Sequence, residues 1–324
     1  NLTPRFNAYT FKHKKYYLCR SVMSNKEKTK WQGRTGGGNL GQRLLIALLR
    51  VVPIRLIYCV SAATVPFYII FAYSRYRAIY RYFREQWRLS PCGAFCRAYR
   101  NHVIFSQIVV DRFAVFAGKK DIFDTEIDGY DIFDELNRHS KGFVMVSSHI
   151  GNYEITGYVL KPDKKRINSL VFASETALVA QNRFAIMGDN NINIVPVADD
   201  MSHIFTVSHA LQDGQIVSAV ADRINGSDKH IKCRLLQGEA LFPAGIFTLA
   251  ATFEVEVVAV FTLKVSPTKY RTLIRRLEIG FPADGTALSK SRRASLLVEA
   301  YAVEMEKVLA QYPEQWFNFY DFWQ

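Results

Sequence analysis

Residues 142–154 read GFVMVSSHIGNYE, and how this stretch is parsed decides the fold. After Gly142 comes a short apolar run ending at Ser148, the pattern of a strand buried on both faces of a parallel sheet. His149 then falls where the strand ends, Gly151 permits a tight turn, and Asn152 suits the cap of a following helix. Glu154 lies in the first turn of that helix, from which its carboxylate can reach back towards the imidazole.

Working outward, strands and helices alternate. A strand is predicted near 122–127, and helices over 101–118 and 130–139. Beyond the quoted stretch come strands near 167–173, 192–197 and 215–221, with helices at 176–187 and 202–213 between them. Residues 243–252 read as helix, 255–265 and 270–279 as strands, and 287–311 as a long amphipathic helix. This order predicts an α/β fold, a mostly parallel central sheet flanked by helices. Ligands in such sheets bind beyond the carboxyl ends of the strands.

That rule selects two places. At the first, His149 with Glu154 has the makings of a general base and its partner. Imidazole titrates near neutrality, at roughly 6.5, and a neighbouring carboxylate fixes its tautomer and stabilises the imidazolium. There is no G-x-S-x-G and the cysteines sit elsewhere, so a base that activates an acceptor directly, without a covalent enzyme intermediate, is the simpler mechanism. A structural histidine is the plainer alternative. At the second place, Asp222 and Arg223 emerge after the strand at 215–221, and Asp222 either positions an acceptor or caps the loop. The segment Phe242-Pro243-Ala244-Gly245 precedes a helix, where backbone N–H groups suit an anion or a developing oxyanion. The plainer reading there is a capped helix start. His203 and His209, six apart on a predicted helix, fall on different faces and read as structural.

Of 42 basic and 29 acidic residues, 19 and 2 lie in residues 1–100, leaving 23 and 27 for the rest. The charge of +13 therefore belongs to the N-terminal third and points to an anionic surface. Leu56 to Tyr73 read LIYCVSAATVPFYIIFAY, eighteen residues without a charge and interrupted by Pro66. Arg43, Arg50 and Arg55 precede it, and Arg75, Arg77, Arg81, Arg84 and Arg88 follow, interleaved with Tyr and Trp. This pattern suits a helix dipping into or barely spanning a bilayer at the headgroup level; a buried core helix is the alternative. The greasy core between the cations argues against nucleic acid. Three regions follow: a basic extension over 1–30, membrane-anchoring helices over 31–100, and an α/β domain over 101–324. Met23 opens a plausible start, so residues 1–22 are expected to take no part in the fold. No signal peptide is read at the terminus. The GRTGGGN stretch at 33–39 lacks the ending of a P-loop and reads as a hinge. Five irregularly spaced cysteines argue for a reducing compartment, and Cys92 with Cys96 makes a poor zinc site.

SSHIGNYE resembles the H-x(4)-D/E motif of the lysophospholipid acyltransferase superfamily, closest to the branch of lipid A late acyltransferases with H-x-G-N-W-E. ADR at 221–223, GEALFPAG at 238–245 and PEQWFNFYDFW at 313–323 fit the same branch, and the likeness runs from about residue 31 to the end. It implies a glycerolipid-acyltransferase-like fold with an N-terminal membrane-associated helical segment, His149 as base and Glu154 as its partner. It implies acyl carrier protein (or acyl-CoA) as donor, a lipid A precursor as acceptor, and the cytoplasmic face of a bacterial inner membrane. No metal or cofactor is implied. Asn152, Arg183, Asp222, Arg223 and Gly245 are the candidate substrate-binding residues, with Arg183 meeting an anionic headgroup or forming a surface ion pair. Tyr153 replaces the usual tryptophan, and Arg223 stands where a histidine or glutamine is common. The 242–245 loop lacks the glutamate of F-P-E-G, which disfavours a glycerolipid acceptor. An aminolipid or polyene lipid acceptor, or a non-catalytic lipid-binding scaffold, remains as the alternative.

Overall fold

A computed structural model describes residues 38–160, 162–172, 191–197, 202–224, 229–280 and 287–323. The expected helix at 176–187, with Arg183, and the basic extension over 1–30 lie outside the described residues.

Four helices come first: α1 (Gly38–Val51), α2 (Ile54–Phe71), α3 (Tyr73–Glu85) and α4 (Pro91–Phe116). Helix α4 starts well before the expected residue 101, at a Ser-Pro pair. Ser90 accepts a hydrogen bond from Gly93 N at 3.2 Å, and Pro91 has no N–H to leave unsatisfied in the first turn. The last two residues of the expected hinge belong to α1.

The sheet strands are β1 (Asp124–Asp128), β2 (Phe143–Gly151), β3 (Ile167–Phe172), β4 (Ile192–Val197), β5 (Ile216–Val220), β8 (Val257–Ser266) and β9 (Lys269–Arg276). Their order is β1-β9-β8-β2-β5-β3-β4, parallel throughout except for the antiparallel β8–β9 pair. The expected α/β sheet is thus present. Helices α5 (Tyr130–Arg138), α6 (Tyr153–Val159), α7 (Ser202–Gln212), α8 (Ala244–Phe253) and α9 (Lys290–Gln311) connect and cover it.

Period-two alternation of side chains sorts the core into two layers. Val144 and Val146 of β2 pack with Val257, Ala259 and Phe261 of β8 against α8, α9 and the C-terminal residues. Phe143, Met145, Val258 and Val260 face the other way, against Phe133 and Leu136 of α5. A third cluster seats Leu49, Ile54 and Tyr58 of the first two helices on Val110, Phe113 and Ala114 of α4.

Residues 230–243 form a hairpin, β6 (His230–Leu235) and β7 (Gly238–Pro243), that the linear reading did not anticipate. Phe242 and Pro243 therefore close a strand, and Ala244 opens α8 directly. The signal was the alternation of Ile231, Cys233 and Leu235 with exposed polar neighbours, ended by Leu236 at φ 57°.

One glycine fixes the end of β2. Gly151 has φ +69°, and a Cβ there would lie 2.0 Å from the carbonyl oxygen of Thr262. Gly151→Ala should destabilise the protein by about 3 kcal/mol, from the left-handed backbone and the clash together. Thermal unfolding checks this, and an unchanged midpoint would refute it.

Candidate active site

β2 lies between β8 and β5, and its carboxyl end departs from regular pairing. Ser147 pairs with Val260 but Gly151 pairs with Thr262, so four steps along β2 span two along β8. The two surplus residues form a bulge in β2, a break in pairing of the kind that aims side chains beside functional sites. His149 sits at the middle of this bulge, with its side chain 20% exposed.

On the other side, β5 stays in register with β2 up to Val220, and Ala221 N still donates to Ser147 O at 2.8 Å. The next residue, Asp222, has no exposed surface. Its carboxylate accepts three hydrogen bonds. His149 Nδ1 donates to Oδ1 at 2.7 Å, while the His149 backbone N–H at 2.9 Å and the Trp316 indole N–H at 3.0 Å both donate to Oδ2. A proton on Nδ1 leaves the Nε2 lone pair free to act as a base.

The electrostatics follow from this packing. Burial pushes the His149 imidazole below its usual value; Asp222 opposes that, and the Arg223 and Arg112 guanidiniums add to it. Burial alone would raise the Asp222 carboxyl, but His149, Arg223 and the Trp316 N–H hold it down to about 2. At neutral pH the pair is a neutral imidazole on a carboxylate.

The C-terminal residues form a strap over these groups. Phe317 N donates to His149 O at 3.0 Å, Ile150 pairs with Trp316 in an antiparallel bridge, and Arg223 Nη2 donates to Phe317 O at 2.6 Å. The Arg223 guanidinium also lies 5.8 Å from the Tyr320 ring centroid. Asn101 of α4 holds the strap from beneath, donating to Glu314 O and Trp316 O, each at 2.9 Å.

The predicted residues are distributed as follows. His149 and Asp222 are in direct contact, and Arg223 joins them through the strap. Glu154, with 2% of its side chain exposed, lies 2.8 Å from Arg112 Nε in an ion pair. Asn152 occupies the cap position of α6 but makes no side-chain cap bond; its amide donates to the Tyr270 hydroxyl at 3.3 Å. Gly245 is the second residue of α8, where a Cβ would meet open space. Arg112 and Trp316 were not singled out from sequence as site residues. For Arg112 a signal existed, since Asp111-Arg112 is a charged pair inside the otherwise apolar run IVVDRFAVF.

The chain is an acyltransferase. It belongs to the bacterial lipid A biosynthesis acyltransferase family, whose model matches residues 105–324, more than half of its length. A search of curated protein sequences finds no match. Among solved structures, the 1-acyl-sn-glycerophosphate acyltransferase PlsC from Thermotoga maritima is similar over 85% of this chain and 99% of that one. The identity is 13% and the TM-score 0.35.

Proposed function

We propose that the chain moves a fatty acyl group from an acyl carrier protein thioester, with acyl-CoA as the alternative donor, onto a hydroxyl or amine of a lipid A precursor. His149 is the general base and Asp222 the carboxylate that orients it, a role the linear reading gave to Glu154. The observation that carries this reading is the 2.7 Å contact between His149 Nδ1 and a fully buried carboxylate that has two further donors.

In the reaction, His149 Nε2 takes the acceptor proton as the acceptor oxygen or nitrogen attacks the thioester carbonyl carbon. Collapse of the tetrahedral intermediate breaks the C–S bond, and the imidazolium returns the proton to the departing thiolate. Asp222 stabilises the imidazolium in between. Glu154 holds Arg112, and that guanidinium supplies a fixed positive charge beside the base for an anionic headgroup.

The acceptor meets the enzyme at a bilayer. Helix α2 is the one described helix long and apolar enough to cross a membrane, and only Ile54, Tyr58 and Val65 on it are buried. Leu40, Leu44 and Val51 of α1 and Val60, Phe67, Ile70 and Phe71 of α2 are exposed. Eighteen helical residues extend about 27 Å, short of a hydrocarbon core of about 30 Å, which suits a helix dipped into the cytoplasmic leaflet of the inner membrane. The arginines of α3 sit at the headgroups. Phe67→Asp/Ile70→Asp should lower membrane retention at least tenfold in a vesicle flotation assay, since each carboxylate costs up to about 3 kcal/mol in hydrocarbon. Full retention would sink the insertion.

The acceptor is identified by mass spectrometry of lipids from cells of the native organism carrying or lacking the gene. Gain of one acyl-chain mass on a lipid A precursor supports the reading. Gain on an aminolipid or polyene lipid moves the acceptor, and no gain with folded, membrane-bound protein leaves a lipid-binding scaffold.

A further inference from the structure

A second buried polar cluster lies beside the site, and the chemistry above does not use it. Asp111 of α4 has no exposed surface, and Lys264 of β8 has 4% of its side chain exposed. Lys264 Nζ donates to Asp111 Oδ2, to the Tyr58 hydroxyl at 3.1 Å and to Pro267 O at 2.8 Å. Asp111 also accepts from the hydroxyls of Tyr58 on α2 and Tyr270 on β9. The Nζ lies 4.9 Å and 5.0 Å from the centroids of the two tyrosine rings. Burial pushes the Asp111 carboxyl up and the Lys264 ammonium down, and each group opposes the shift of the other.

An ion pair so placed is a poor way to gain stability. Stripping both charges of water offsets most of their attraction, and apolar side chains of similar size commonly hold a fold as well or better. Its value lies in what it orients. One arm runs from Asp111 through the Tyr270 hydroxyl to the Asn152 amide, between Gly151 and Glu154. Another runs through the Lys264 backbone, whose N–H and C=O grip the Gln315 side chain at 2.9 Å and 2.8 Å. The neighbouring Trp316 is the residue whose indole holds Asp222. The third arm points outward, because Tyr58 is one of only three buried residues on the apolar helix α2.

We infer that the Asp111–Lys264 cluster is a positioning device that aligns His149 and Asp222 through Asn152 and the strap, and makes that alignment depend on how α2 is seated. The inference rests on His149 being the base. If α2 shifts, Asp111 loses one of its donors and Lys264 one of its acceptors, and both inner arms loosen together.

The test uses the full chain in vesicles, labelled with 15N-histidine, with acyl transfer measured on the same samples. The Nδ1–H resonance of His149 is assigned by its loss in His149→Ala. Asp111→Leu/Lys264→Met exchanges the pair for apolar side chains of similar volume. Its thermal midpoint should match or exceed wild type, while the His149 resonance shifts or broadens and kcat falls about tenfold with KM unchanged. Tyr58→Phe and Tyr270→Phe each remove one hydroxyl and should move the resonance in the same direction, with kcat down about threefold. A folded double variant with wild-type resonance and kcat overturns the proposal. Should the double variant not fold, an unmoved resonance in both tyrosine variants overturns it equally. Activity that survives His149→Ala would fail the base reading alone, since the resonance reports alignment without any turnover.

Discussion

His149→Ala is expected to lower kcat by about 10²–10⁴-fold, the range in which a positioned general base contributes, with the thermal midpoint within a few degrees of wild type. The side chain is one-fifth exposed, 20% by area, and its loss leaves only a small gap. The strap stays attached through the His149 backbone, which donates to Asp222 and accepts from Phe317. Steady-state transfer assays on folded protein decide the matter. Loss of less than about threefold would mean that the acceptor reaches the thioester without this imidazole. Neutral imidazole is the active form, so transfer should rise with pH through a transition below the ordinary histidine value and then level off.

The second large effect is expected for Asp222→Asn. Asp222 receives donors at both oxygens, one on Oδ1 and two on Oδ2. An amide offers one oxygen and one NH2. With the NH2 towards His149 Nδ1, the imidazole proton is driven onto Nε2, which then cannot act as a base. Turned the other way, the NH2 faces the His149 backbone and Trp316 indole N–H groups. In either orientation kcat should fall about 10²–10³-fold. Asp222 is also the group that raises the His149 pKa against burial. Removing its charge should therefore move the acid limb of the pH–rate profile to lower pH. A limb that moves upward, or stays in place at full kcat, would count against Asp222 as the partner and return attention to Glu154.

Much of this was legible in the linear sequence because buried parallel strands are unbroken apolar runs. β2 was readable as GFVMVSS and β4 lies over 192–197, where expected. His149 could be picked out because a strand end is local information, and Asp222 and Arg223 for the same reason. Their contact could not be foreseen, since β2 and β5 are neighbours only through the sheet order, with β3 and β4 between them in the chain. Glu154 is matched to His149 by closeness in sequence, whereas the ion pair it makes with Arg112 of α4 joins residues about forty positions apart and leaves no trace in the string. The alternation over 230–243 is short and heavily charged, which hides the hairpin, and the start of α4 is marked by the Ser90-Pro91 cap and not by the apolar run beginning near 101. The Asp111–Lys264 cluster left half a trace, a charged pair in an apolar helix, with nothing to say which lysine would meet it.

The strap has a consequence for how the protein is made. Ribosomes deliver the chain from the amino end, so the sheet, the bulge and the apolar helix all emerge before residues 313–323. Until then Asp222 lacks its indole donor and the backbone of His149 lacks Phe317. If α1 and α2 seat in a bilayer as proposed, a nascent chain reaches it well before the proposed pair of His149 and Asp222 is braced. On the proposed reading, bracing of the pair follows membrane targeting, and a chain stopped just short of Trp316 is expected to reach the membrane without transferring acyl groups.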